Sequence, residues 1–107
     1  MIKHIVMWKV AGANDAERSA AAQRVKKLFE ELRGRIPGMT YLEIGIDFCG
    51  LDHACDVVLY SEFESQAALE AYATHPEHLR VRDALTGVRI SRHQVDYVSD
   101  QIEQVVH

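Results

Sequence analysis

The chain has 107 residues, 48% of them apolar, and a formal net charge of −4. That length supports one domain around one core, and an acidic balance with scattered Lys and Arg argues against nucleic acid or an anionic membrane surface as partner, since both select clustered cations. No apolar run approaches the ~20 residues of a membrane span and the N-terminus lacks the pattern of a signal peptide, so no membrane partner and a cytoplasmic location are expected.

Met1 to Val10 alternates as a strand, with Ile2, His4, Val6 and Trp8 on one face and Ile5 and Met7 on the other. Asn14 is placed to cap a helix, Asp15 and Glu17 complement its dipole, and Val25, Leu28, Phe29 and Leu32 recur at helical spacing, which predicts a helix from about residue 15 to 33. Gly34, Pro37 and Gly38 close it. Leu42, Ile44, Ile46 and Phe48 form the apolar face of a second strand, and CGLDHA is a loop. Its flanking Cys49 and Cys55 are expected to be free thiols: a lone pair without secretory context is no disulfide framework, and neither has the partners a zinc site needs.

Cys55 to Phe63 reads as a third strand, Val57, Leu59 and Phe63 facing one way and Val58 and Tyr60 the other. Ser65 caps a helix carrying Ala68, Leu69 and Tyr72; Pro76 breaks it near Thr74 and starts a continuation to about Thr86, ended by Gly87. Val88 to Val98 is the last strand. The order strand, helix, strand, strand, helix, strand is the ferredoxin-like βαββαβ pattern of the α+β class, a four-stranded antiparallel sheet with helices on one side. Ile5, Met7, Val58 and Tyr60 on the uncovered face would be an oversized apolar patch for a monomer, and sheet-to-sheet packing into a homodimer covers it.

The segment AYATHPEHLRVRD holds the candidate chemistry. It sets Tyr72, His75 and His78 around the helix break at Pro76, with His78 in the first turn of the second helix, where the dipole disfavours an imidazolium while Glu77 pulls the other way. A neutral imidazole beside a phenol is a plausible proton-transfer pair. Structural roles compete with each residue: Tyr72 as a core aromatic, His75 as a cap, His78 as donor to a loop carbonyl, His4 as a satisfied core histidine. The proline spoils the HxxH spacing of His75 and His78 for a metal, and no metal or other cofactor is expected.

The succession MIKHIVMWK, IPGMTYLEIGIDF, DVVLYSEFES, AYATHPEHLRVRD and RHQVDY resembles the stress-responsive A/B barrel (Dabb) family of the dimeric α+β barrel superfamily, over residues 1–98 with 99–107 as a C-terminal tail. The resemblance implies a homodimeric α/β barrel with a small-molecule cavity between sheet and helices. Within that group the chain is similar, more distantly, to plant polyketide cyclases, which close a linear polyketide by aldol condensation without a cofactor. That likeness implies His78 as general base, Tyr72 as the hydroxyl that orients it or polarises a carbonyl, and His4 lining the cavity; a further cavity histidine of those cyclases is replaced by Val57. The implied function is binding or transforming a small apolar carbonyl compound. A noncatalytic dimeric stress or ligand-binding protein is the alternative, and a cofactor-independent monooxygenase a third reading.

Overall fold

The computed structural model describes residues 1–100 and has the expected order, with strands β1 (Ile2–Val10), β2 (Met39–Ile46), β3 (Val57–Phe63) and β4 (Arg89–Val98) and helices α1 (Asp15–Glu30), α2 (Gln66–Ala73) and α3 (Pro76–Ala84). The four strands form one antiparallel sheet in the order β2-β3-β1-β4. Alternation along β1 buries Ile2, His4, Val6, Trp8 and Val10 beneath the helices. They join Phe29 and Leu32 from the α1 side, Leu59 and Phe63 from β3, and Val81 and Leu85 at α3 in one core. Most of the proposed tail, residues 101–107, lies outside the described residues.

Both predicted N-caps form: Asn14 accepts from the Glu17 amide and Ser65 from the Ala68 amide. The ends of the elements differ more. Helix α1 stops at Glu30 and not at 33, because Leu32, Arg33 and Arg35 bond three residues back, a tighter winding that keeps Leu32 buried. Strand β2 ends at Ile46, two residues before Phe48, since its partner β3 begins only at Val57. The Asp47 amide makes a last bond to the Asp56 carbonyl while its carboxylate accepts from the Gly50 amide and turns the chain, and Phe48, expected on the apolar face, stands 99% exposed in the loop. Strand β3 starts two residues after Cys55 because the Asp56 carboxylate takes the Val10 amide. Helix α3 closes at Ala84, and β4 begins at Arg89 in place of Val88. At Gly38 the φ of +80° favours glycine, and a Cβ there would lie 2.5 Å from that of Ala68, so this glycine lets α2 approach the sheet edge.

The helices leave much of the helix side of β4 open. The opposite face carries Ile5, Met7, Val58, Tyr60, Val95 and Tyr97, with Met7, Val95 and Tyr97 exposed. Antiparallel β1–β4 pairing sets His4 opposite Asp96 and Trp8 opposite Arg92. A bulge between Lys9 and Val10 then sets Val10 opposite Arg89. Because partners across a ladder share a face, the extra residue turns both Arg89 and Arg92 toward the helices, although their spacing in a regular strand would put them on opposite faces.

Candidate functional site

The helix break builds the site. Pro76 occupies the first turn of α3, and His75 takes extended backbone angles and caps it, its Nδ1 accepting from the Glu77 amide at 3.1 Å. His75 is therefore occupied as a cap. One turn on, the Nδ1–H of His78 donates to the Ala73 carbonyl at 3.1 Å, one of the acceptors left over at the end of α2. This bond selects the tautomer that leaves Nε2 with a free lone pair. Burial, the largest cause, lowers the pKa of His78 below its ordinary value; the bond to Ala73 opposes the shift, and Arg82, Arg89 and His4 reinforce it. Glu77 does not counter it, being engaged by Arg80 at 3.0 Å. The ring is a neutral base near pH 7.

The Tyr72 ring packs against that imidazole with centroids 4.4 Å apart and is 4% exposed. Burial pushes its phenol well above the ordinary value, against the weaker pull of Arg89 and Arg92, so the hydroxyl stays protonated and can donate. His4, 6% exposed, sits edge-on to Tyr72 at 6.0 Å. Its Nδ1 meets Asp96 Oδ1 at 2.5 Å, and Gln94 donates to the other oxygen of Asp96 at 2.7 Å. With the carboxylate as acceptor, Nδ1 is the donor of this bond.

His4, Tyr72 and His78 share a cavity of about 310 Å³, walled by Trp8, Phe29 and Leu59 among others. Trp8 and Phe29 stack with centroids 5.0 Å apart, and Arg89 lies over both rings at 5.2 and 5.7 Å. Arg82 and Arg92 complete a cationic side. An adjoining lobe of about 330 Å³ shares the same three residues and Arg92 and adds Glu70, Gln94 and Asp96. Val57 is not brought to this site: it is buried beside Trp8 and borders a different pocket with Met7, Val58 and His93.

Sequence reasoning missed Asp96 and all three arginines. Only the β1–β4 register carries the first signal. Charge density in RVRDALTGVRISR was visible as composition, but not its convergence. Cys49 and Cys55 are free thiols. Among the described residues no group of three or more His, Cys, Asp or Glu gathers as metal ligands, and no helix is long and apolar enough to cross a membrane.

The family model described as "Stress responsive A/B Barrel Domain" matches residues 2–99. Among solved structures, a dimeric protein of unknown function with a ferredoxin-like fold from Bacteroides fragilis is 31% identical, with TM-score 0.78 over 90% of this chain and 93% of that one. A Dabb family protein from Mesorhizobium loti is 26% identical, with TM-score 0.66 over 92% and 95%. A hydroxynitrile lyase from Passiflora edulis is 14% identical, with TM-score 0.75 over 94% and 95%, and shows likeness of fold alone. No curated protein matches the chain.

Proposed function

Because the chain belongs to the stress-responsive A/B barrel family, we propose that it is a homodimeric enzyme that moves a proton at the carbon beside a carbonyl in a small molecule. The observation that supports this most is the state of His78: a neutral ring whose Nδ1–H is committed to Ala73 and whose Nε2 is free, packed on a protonated tyrosine at a cavity. In the proposed step Nε2 removes a C–H proton, the electron pair moves into the carbonyl, and the Tyr72 hydroxyl donates a hydrogen bond to the resulting enolate oxygen. The enolate carbon then attacks a second carbonyl, as in an aldol closure, the new alkoxide taking the proton from the imidazolium, or is itself reprotonated by the imidazolium. His4, held by Asp96, would orient the substrate from the sheet. The step as written uses only side chains of this chain.

The homodimer reading rests on the apolar open face of the sheet and on the dimeric state of the Bacteroides fragilis relative. The test is deuterium uptake from heavy water into a panel of ketones and keto esters, followed by nuclear magnetic resonance. Wild type should exceed the buffer rate, and folded His78→Ala should lose about 10²–10⁴-fold of that excess. Uptake that survives His78→Ala, or none with any compound, overturns the catalytic reading and leaves a ligand-binding protein.

A further inference from the structure

We propose that the ligand of this cavity carries an oxyanion, a carboxylate or phosphate, held by Arg89 and Arg92 with Arg82 at the rim while its carbonyl meets Tyr72 and His78. The inference rests on the carbonyl-site reading above and narrows it from an apolar to an acidic compound.

Several cations elsewhere in the molecule have partners: Lys9, Arg24 and Arg33 donate to backbone carbonyls, and four others meet acids. Lys3 meets Glu62 at 2.8 Å and Arg80 meets Glu77 at 3.0 Å, Arg18 pairs with Asp15, and Arg35 lies 3.8 Å from Glu77. At the cavity two of the three arginines lack an acid among the described residues. Arg82 reaches only its exposed neighbour Asp83, at 3.7 Å, and among the described residues no carboxylate lies within 4.0 Å of Arg89 or Arg92. The nearby acids are placed otherwise: Asp96 is taken by His4 and Gln94, and Glu70 lines the adjoining lobe. A chain with 16 acidic residues against 12 Lys and Arg has thus collected three guanidinium groups at one small cavity.

Such a cluster is costly while empty, because mutual repulsion opposes the charges and burial adds to it at Arg89. Arg89 shows both effects: its pKa is lowered first by burial and then by Arg92, with Arg82 adding to it, and a bound anion would relieve each. Its geometry is also suited to one. Its Cζ lies 5.2 and 5.7 Å from the Trp8 and Phe29 ring centroids, and a planar guanidinium offers N–H donors that pair two-to-two with a carboxylate or phosphate. The β4 bulge matters here, since it brings Arg89 to the same side as Arg92. Volume sets the scale: about 310 Å³ is at the small end for a ligand pocket, so the compound is compact.

The test is calorimetric titration of the full-length protein with 4-oxo-4-phenylbutanoate, its methyl ester and inorganic phosphate. The ester keeps the carbonyl and ring and removes only the charge. The acid should bind at least about tenfold more tightly than the ester, consistent with a charge-assisted fork, and the advantage should shrink with added salt and in Arg92→Gln and Arg89→Gln. Arg92 is exposed, so its substitution reports on binding even if loss of the half-buried Arg89 harms folding. Phosphate that binds alone and displaces the acid points to a phosphorylated ligand; an acid that phosphate fails to displace points to a carboxylate. Both support the assignment. Equal binding of acid and ester, or no binding of acid or phosphate, overturns it, including the case in which an acid of the tail or of a second copy already fills the cluster. Arginine-dependent binding of the acid without deuterium uptake defeats the proton-transfer reading alone, whereas His78-dependent uptake into acid and ester at equal affinity defeats the oxyanion assignment alone.

Discussion

On the open face of the sheet, Lys3 meets Glu62 at 2.8 Å and Tyr60 donates to the same carboxylate at 2.6 Å. Lys3 also lies 5.7 Å from the Tyr60 ring centroid, and its bond to Glu62 holds that carboxyl below the ordinary range. On the covered face, Arg89 and Arg92 border a cavity without a carboxylate partner among the described residues, and burial is the leading cause of the lowered Arg89 value. The first cluster is closed on itself. What that face lacks is cover for Met7, Val95 and Tyr97, a need met by apolar surface. The second cluster lacks counter-charge, a need met by an anion. One sheet thus presents two surfaces, and the balance of charge on each indicates the kind of partner it awaits.

The contrast can be broken at four points. The largest effect is expected from Asp96→Asn, which removes the charge that fixes the His4 tautomer; deuterium uptake should fall about 100-fold with the fold intact, and the nitrogen shifts of the His4 ring should change. Unchanged uptake would make His4 a core histidine. The rate should also depend on pH in a stated direction. His78 acts as base only when neutral and its pKa is lowered from 6.5, so uptake should be flat above pH 6.5 and fall about tenfold per unit once below the shifted value. A limb centred above 6.5 would sink the assignment.

On the open face, Val95→Asp should weaken self-association by about tenfold or more, measured by sedentimentation of diluted protein, because it buries a carboxylate with no partner. A variant that stays fully dimeric would show that this face is not the interface. The smallest change is expected from Glu62→Gln, which keeps a hydrogen-bond acceptor for Lys3 and Tyr60; self-association should shift less than about 3-fold. A larger loss would mean that the closed network itself contacts the second copy.

Alternation along β1, the caps at Asn14 and Ser65 and the break at Pro76 were readable because each is a local property of a few neighbouring residues. The same locality misplaced Phe48: its alternation continues from β2, but a strand residue needs a partner, and the pairing with the chain before β3 ends at the Asp47–Asp56 bond. At the candidate site, the helix break singled out Tyr72 and His78 as candidates, and the alternation put His4 on the helix side. The preference for His75 as a cap came from the restraint that Pro76 places on it.

The sequence by itself determined the element order, the apolar face of the first strand and the discontinuous helix, all of them set by side-chain spacing and backbone chemistry over short distances. Tertiary structure alone decided that Asp96 holds His4 from 92 residues away and that three arginines converge on one cavity. The physical reason is register. A strand's side chains alternate with a period of two, so one bulge between β1 and β4 chooses the face on which Arg89 appears, and that choice exists only once the strands have paired.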